Sequence, residues 1–131
     1  MRKTELQINL KSIKDNLNQI KNYTSAKIQA VVKAGAYGLN LNEVYNALSD
    51  DVESFAVITI NEARALREIT DKPILLFQGI HETKDYFDVE DLNLDFVIHS
   101  LWQLDGVEKF NLSNSRIWLK IETGMNRFGL N

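Results

Sequence analysis

The sequence contains no cysteine and only one proline in 131 residues, and no apolar run approaches the length needed to cross a bilayer. Without cysteine, disulfide bonds and thiolate metal sites are excluded. The N-terminal stretch MRKTELQINL lacks the apolar core of a secretion signal. These absences lead us to expect a cytoplasmic protein with no membrane contact and no metal site.

Clustered charge of one sign is also missing. Fifteen Lys and Arg residues stand against eighteen Asp and Glu residues, which gives a net charge of -3. Because neither sign is concentrated in one stretch, the sequence lacks the basic footprint of a nucleic-acid-binding protein. With 44% hydrophobic and 25% charged residues, the composition is that of a globular domain large enough for one core.

The sequence does contain five short apolar segments rich in residues that favour strands. Runs of this kind are typical of strands buried on both faces of a parallel sheet. Three of the stretches between them open with helix-capping pairs. The segments are 27–33, 54–59, 73–78, 94–99 and 116–122, and the capping pairs are Asn40 with Glu43, Thr59 with Glu62, and Ser100 with Gln103.

Two further segments have weaker patterns. The run ELQINL alternates polar and apolar residues, which predicts a half-exposed strand outside the main sheet, and Ser12 with Asp15 would then cap a helix. The stretch after Gly79 predicts a short helix with Tyr86 or Phe87 facing inward.

Strands that alternate with helices predict an α/β fold with a parallel sheet, either doubly wound or a (β/α)₈ barrel. The run KAGAYGLN is neither of the glycine-rich phosphate turns expected in a doubly wound nucleotide-binding sheet, which favours the barrel. A complete barrel takes about 250 residues. We therefore expect residues 1–131 to be the N-terminal portion of a barrel domain, with about five of its strands.

Lys33 ends the apolar run AVVK, where a buried ammonium group would be unfavourable. Either its side chain extends to solvent, or its amine is partly desolvated and acts as a nucleophile or base. Active sites of barrels gather at the carboxyl ends of the strands. The other polar residues at predicted strand ends are Thr59, Gln78, His99, Lys120 and Glu122, each of which also has a purely structural explanation.

A second cation, Arg127, follows Lys120 after a turn in the segment WLKIETGMNRFG. Two cations that approach the same edge of a sheet repel each other unless an anion lies between them. The segment therefore indicates a bound anion, a carboxylate or a modification of Lys120. Alternatively, Lys120 pairs with Glu122 or another acidic residue, and Arg127 lies on the surface.

Two motifs together resemble the alanine racemases, which use pyridoxal 5'-phosphate (PLP) on a barrel domain followed by a β domain. AVVKAGAYG is similar to the family's A-V-V-K-A-N-A-Y-G, and LKIETGMNRFG is similar to its L-K-x-D-T-G-M-x-R-x-G. The segments FAVITINEARALRE, KPILLFQG and VIHSLWQL follow the family's order and spacing. The resemblance covers essentially the whole chain, and it implies that the later barrel strands and the C-terminal β domain are absent here.

The resemblance implies a role for five residues. Lys33 would carry the cofactor and act as one of two bases that exchange the α-proton. Tyr37 would help hold the cofactor phosphate, and Arg127 would hydrogen-bond the cofactor ring. Lys120 would be carbamylated, and the backbone of Met125 would face the substrate carboxylate from the partner subunit of a homodimer.

The reaction implied is the interconversion of L- and D-alanine, which supplies D-alanine for the bacterial cell wall. The second base would be a tyrosine of the other subunit's C-terminal domain. Since the phosphate-binding loops of the later strands are also missing, we expect these 131 residues alone not to racemise alanine. Two other interpretations are a broad-specificity racemase or decarboxylase of the same cofactor class, and a non-catalytic half-barrel.

The sequence departs from the family pattern near the lysine. Gly35 replaces the usual asparagine or aspartate, Leu39 the usual histidine and Asn40 the usual glycine, while Glu122 stands in place of aspartate. None of these changes removes the lysine, the tyrosine or the arginine. The loss of a side chain at Gly35 predicts that the contacts that orient Lys33 are absent or supplied by another residue.

Overall fold

Each of the five predicted apolar segments contains a strand in the computed structural model, which describes residues 3–112 and 115–131. The strands are β1 (Gln29–Val31), β2 (Ser54–Val57), β3 (Ile74–Leu76), β4 (Asp95–Ile98) and β5 (Ile117–Leu119). The helical elements are α1 (Leu10–Tyr23), α2 (Lys33–Tyr37), α3 (Leu41–Leu48), α4 (Ile60–Arg67), α5 (Asp85–Asp91) and α6 (Leu101–Phe110).

The strands form one parallel sheet in the order β1-β2-β3-β4-β5, so that each strand pairs with the next one along the chain. Right-handed crossovers in a sheet whose order never reverses place the helices on one face. A doubly wound sheet would reverse its order and carry helices on both faces. The α/β architecture is therefore part of a (β/α)₈ barrel wall, as the sequence predicts.

The main core lies between the sheet and the helices. Phe55, Ile74 and Phe96 point from three neighbouring strands and are fully buried, together with Leu66 of α4. Burial of each such side chain contributes about 1.5–3 kcal/mol relative to an exposed one. This core fixes which face of every strand is turned away from the helices.

The opposite face of the sheet carries Ala56, Leu75 and Val97, which form a second, smaller cluster. At the amino ends of the strands this face is polar, because the Gln29 amide donates to Ser54 Oγ at 3.0 Å and Arg116 pairs with Asp95 at 2.7 Å. At the carboxyl ends of the strands, this face of the sheet opens into a cleft. The two ends of the barrel wall therefore differ in chemistry.

Two of the three predicted helix caps are confirmed. The Asn40 side chain accepts hydrogen bonds from the backbone amides that begin α3, and Thr59 and Glu62 form a reciprocal capping box at α4. At α6, Ser100 is the N-cap residue, but its buried hydroxyl has no hydrogen-bond partner in the described part of the chain. Gln103 instead accepts from the backbone amide of His99 at 2.8 Å and donates to the carbonyl of Ile80 at 2.7 Å.

The prediction of a strand in ELQINL is wrong. Residues 3–9 pair with no strand in the described part of the chain, and Leu10 already belongs to α1. The cap is also different, since Asn9 accepts from the backbone amide of Ser12 at 3.1 Å. Asp15 pairs with Lys11 within the helix rather than closing a capping box. The alternation of apolar residues in this segment therefore does not produce a strand, because the segment pairs with no sheet edge in the described part of the chain.

The helix after Gly79 is α5, and of its two aromatic residues Tyr86 faces inward. The Tyr86 hydroxyl donates to the backbone carbonyl of Gln103 at 3.0 Å, and its ring stacks on Phe110 with centroids 4.9 Å apart. Phe87 is exposed. The helices that the structure describes include none long and apolar enough to span a membrane.

Gly106 provides a test of this packing, because a Cβ at that position would lie 2.1 Å from the ring and hydroxyl of Tyr86. Alanine is favoured over glycine by about 1 kcal/mol in an unconstrained helix. We nevertheless expect Gly106→Ala to lower the free energy of unfolding by about 1–3 kcal/mol, measured by urea denaturation.

The control is Tyr86→Leu, in which the clashing atoms are gone. Adding Gly106→Ala to Tyr86→Leu should then cause no further loss of stability. An unchanged unfolding midpoint in the single Gly106→Ala variant would contradict the packing described for α5 and α6.

Candidate active site

A cleft of about 400 Å³ lies at the carboxyl ends of the strands, on the sheet face turned away from the helices. Pockets of this size accommodate small ligands and cofactors. Its walls combine aliphatic, aromatic and cationic side chains from four strand ends and the loop after β5. The lining residues are Val31, Lys33, Tyr37, Ile58, Phe77, Gln78, Lys120, Arg127 and Phe128.

Lys33 enters the cleft from the end of β1. The strand stays paired up to this point, because the backbone amide of Val32 donates to the carbonyl of Ala56 at 2.9 Å. The Lys33 side chain is half-buried. Its Nζ lies 5.6 Å from the centroid of the Tyr37 ring, within the distance of a cation–π interaction. The Lys33 side chain is therefore neither fully buried in the core nor fully exposed to solvent.

The four residues after Lys33 form a left-handed turn. Ala34, Gly35, Ala36 and Tyr37 have φ values of 50°, 60°, 56° and 58°. Left-handed helical geometry costs residues other than glycine about 1–2 kcal/mol each. The turn is closed by the backbone amide of Gly38, which donates to the carbonyl of Ala34 at 2.9 Å. This conformation keeps Tyr37 beside Lys33, and other contacts must compensate for its cost.

Glu62 supplies such contacts from the first turn of α4. Its Oε1 accepts from the backbone amide of Ala34 at 2.7 Å, and its Oε2 accepts from those of Ile58 and Thr59 at 3.0 and 3.1 Å. Partial burial of the carboxylate raises its pKa, but these hydrogen bonds outweigh that effect and hold the pKa of Glu62 below its ordinary value. The sequence predicts Glu62 only as a helix cap, whereas the structure also joins it to the turn after Lys33.

On the other side of the cleft, Phe128 packs between Lys120 and His99. Lys120 Nζ lies 5.8 Å from the centroid of the Phe128 ring, and the His99 ring lies 4.6 Å from it. Nε2 of His99 is 3.0 Å from the backbone carbonyl of Gln78. His99 thus supports the wall of the cleft and the end of β3 without lining the cleft itself.

Glu122 organises the loop that carries Arg127. Its carboxylate accepts from the backbone amides of Gly124 and Arg127, at 2.5 and 3.1 Å. The backbone amides of Asn126 and Gly124 are the main cause of the lowered pKa of Glu122. The alternative in which Lys120 pairs with Glu122 is not observed, since this carboxylate bonds to its own loop.

Three cations consequently share the cleft. Within residues 3–112 and 115–131, the ion pairs include none made by Lys33, Lys120 or Arg127. Like charges in one cleft repel each other, and a bound anion relieves that repulsion. The arrangement is suited to a ligand with negative charge and an apolar or aromatic body.

The cleft brings together four of the predicted site residues, Lys33, Tyr37, Lys120 and Arg127, and also Gln78. Met125 is 70% exposed and does not line it. Thr59 caps α4, so the purely structural explanation for this residue is the one that the structure shows.

Two aromatic walls, Phe77 and Phe128, were not predicted. Phe77 continues the alternation of Leu75 on the same sheet face, which is a signal visible in the sequence. Phe128 lies in an irregular loop and gives no such signal.

The departures near the lysine fit the observed backbone. Gly35 has φ +60°, and a Cβ placed on it would meet no atom within 4 Å. Asn40, which replaces a glycine of the family pattern, has φ +70°. Glycine and asparagine are among the residues that adopt a positive φ most readily. Leu39 packs against the main core.

Residues 8–131 match the family model described as "Alanine racemase, N-terminal domain". The catabolic alanine racemase of Pseudomonas putida is 38% identical over 132 residues, covering 99% of this chain and 37% of that protein. The alanine racemase of Haemophilus influenzae is 42% identical over 123 residues, covering 91% of this chain and 34% of that protein.

Solved structures agree with the sequence comparison. The biosynthetic alanine racemase of Pseudomonas aeruginosa superimposes with a TM-score of 0.86 at 35% identity, covering 93% of this chain and 35% of that one. The sequential parallel sheet with a lysine-bearing cleft at its carboxyl end therefore defines the class: the wall of a β/α barrel domain. Within that class, the chain belongs to the alanine racemase family, whose N-terminal domain it matches.

Substitutions at Gly35 test the left-handed turn. Gly35→Asn should be tolerated, whereas Gly35→Val should lower the free energy of unfolding by about 1–3 kcal/mol, because a β-branched residue is strained at this φ. Since a Cβ at this position would meet no neighbouring atom within 4 Å, a clash at Cβ does not account for the difference. Equal urea midpoints for the two variants would contradict the left-handed conformation.

The lowered pKa of Glu62 predicts a pH dependence of stability. The carboxylate is better stabilised in the folded chain, so its contribution is complete above the ordinary pKa of 4.5 and is lost as the pH falls through the lower folded value. The destabilisation by Glu62→Gln should therefore be largest at about pH 7 and shrink towards about pH 3, measured by urea denaturation at each pH. Glu43→Gln, at the corresponding position of α3, is the control. If the loss of unfolding free energy in Glu62→Gln did not change with pH, the stabilising role of the ionised Glu62 carboxylate would be contradicted.

Proposed function

We propose that this chain supplies the lysine-bearing part of the active site of a PLP-dependent alanine racemase. The observation that supports this proposal most strongly is the cleft in which Lys33, Lys120 and Arg127 meet beside Tyr37. In the described part of the chain, none of these three cations forms an ion pair with a carboxylate. Relatives that are named alanine racemase support the assignment of the reaction. The chain spans about 37% of the length of the curated relatives it matches, so the activity is proposed for the whole protein.

The residues present in the cleft fit PLP. This cofactor has an aldehyde, an anionic phosphate and an aromatic ring, and the cleft offers an amine, two further cations and the aromatic side chains of Phe77 and Phe128. Lys33 would hold it covalently, Tyr37 would hold the phosphate, and Arg127 would donate to the ring. When bound, PLP supplies an electron sink that stabilises negative charge on the α-carbon of an amino acid.

The chemistry that this chain itself contributes centres on Nζ of Lys33. A neutral amine at that atom can add to an aldehyde, and it can take or return a proton on the face of the substrate that it reaches. Lys33 follows the paired end of β1, so its side chain enters the cleft from the carboxyl end of that strand. The guanidinium of Arg127 presents a planar set of donors to an oxygen of the bound anion.

Lys120 and Met125 extend the proposal. Carbamylation of Lys120 would replace one of the three cations by an anion and would hold Arg127 in place by charge. Met125 is 70% exposed on the loop after β5, and we propose that its backbone faces the substrate carboxylate from the partner subunit. Return of a proton to the opposite face of the substrate needs a second acid, which we assign to the partner subunit in a homodimer of the whole protein. We propose that this homodimer is cytoplasmic and that the D-alanine it forms serves the bacterial cell wall.

The test is to mix the 131-residue chain with PLP, reduce with borohydride and map the modified lysine by peptide mass spectrometry. We expect one dominant adduct at Lys33, because its amine lies in the cationic cleft beside Tyr37, whereas Lys120, the second lysine of the cleft, packs over the Phe128 ring. Lys33→Ala should abolish that adduct. The matched control is Lys11→Ala, which removes a lysine whose side chain is 83% exposed and should leave labelling at Lys33 unchanged.

Labelling spread evenly over exposed lysines, with no preference for Lys33, would contradict the proposal. Adducts that persist at full yield in Lys33→Ala would do the same. Pyridoxal without its phosphate is a further control: it should label Lys33 less selectively, because the cations of the cleft then have less charge to bind.

A further inference from the structure

One side chain of α4 joins the loops that follow β1 and β2. The Glu62 carboxylate bonds to Ala34 in the first loop, and to Ile58 and Thr59 in the second. The reciprocal hydrogen bonds between Thr59 and Glu62 form an ordinary capping box. The bond to Ala34 is not part of it, because Ala34 lies outside α4 and 28 residues earlier in the chain.

The Ala34 amide is the peptide group that joins Ala34 to Lys33. Its orientation therefore limits the direction in which the Cα–Cβ bond of Lys33 leaves the backbone. The amide also opens the left-handed turn, whose non-glycine residues are each held in an unfavourable conformation. A short hydrogen bond of 2.7 Å to an ionised carboxylate is a charge-assisted one and stronger than a neutral bond.

We infer that Glu62 is the positioning residue of Lys33: by fixing the Ala34 amide it holds the left-handed turn and aims the lysine amine into the cleft. The inference rests on the proposed function for the purpose of that amine. It also answers the expectation raised by Gly35, since a contact that orients the lysine is supplied by a residue of α4 rather than by a side chain at position 35.

The alternative is that Glu62 only caps α4. A substitution at Thr59 distinguishes the two roles. The Thr59 hydroxyl accepts a hydrogen bond from the backbone amide of Glu62 at 3.2 Å, and its hydrogen bonds in the described part of the chain include none to Ala34. Thr59→Ala weakens the cap and leaves the carboxylate in place. Glu62→Gln removes the charge, and its amide NH₂ then faces backbone donors that it cannot satisfy. The two variants thus share the loss of capping but differ in the bond to Ala34.

The first readout does not involve a cofactor. In the full chain, NMR should show contacts between the Lys33 ε-protons and the Tyr37 ring, and slow hydrogen exchange of the Ala34 amide. We expect Glu62→Gln to lose the ring contacts and to speed Ala34 exchange by about tenfold or more, the effect of losing about 1.4 kcal/mol of protection. Thr59→Ala should retain both signals. Circular dichroism first establishes that each variant is folded.

The second readout is the borohydride-trapped PLP adduct, expressed as the yield at Lys33 relative to Lys11. Misplacement of a reacting group by about 1 Å can cost about a hundredfold in rate, so we expect a fall of at least about tenfold in Glu62→Gln. The ratio should be unchanged in Thr59→Ala. If Glu62→Gln does not fold, Glu62→Asp replaces it, because its carboxylate is one methylene too short to join both loops.

The outcomes separate the two proposals. Equal losses in Thr59→Ala and Glu62→Gln, or a folded Glu62→Gln variant with wild-type signals, would overturn the positioning role. A wild-type chain that shows the NMR contacts but no selective adduct at Lys33 would overturn the proposed function. In that case loss of the contacts in Glu62→Gln alone would still support the positioning of the lysine side chain.

Discussion

The carboxylate of Glu62 links the first two β/α units at the point where the cleft begins. Three backbone amides converge on its two oxygens, and they come from the loop after β1 and the loop after β2. Because the strands are parallel and in register, these loops emerge side by side. Without an acceptor between them, the amide of Ala34 would be left without its partner, and the left-handed turn would lose a contact that offsets its strain.

The cleft is assembled from strand ends in the same way. Parallel pairing brings Lys33, Gln78 and Lys120 to one edge although they are far apart in the chain. Phe128, whose ring also contacts that of His99, then gives Lys120 an aromatic support. Rigid strands thus fix the positions of the polar groups, and the loops determine their directions. A binding site on this plan gains its precision from the sheet.

Much of this arrangement could be predicted from the sequence, since apolar runs separated by capping signals report directly on buried strands and helix starts. Lys33 and Lys120 could be found because cations next to such runs need an explanation, and Arg127 because it follows Lys120 after a turn. The left-handed turn and the bond from Glu62 to Ala34 could not, because they depend on contacts between distant parts of the chain. The same limit explains the error at ELQINL: alternation describes a strand only if a sheet edge is available to it.

The sequential order of the strands has a consequence for folding. Each strand contacts the one synthesised just before it, so the sheet can grow in the direction of translation, one β/α unit at a time. The bond between Glu62 and Ala34 requires only the first two units. The residues that this bond joins are therefore both synthesised before β5 and the loop that bears Arg127.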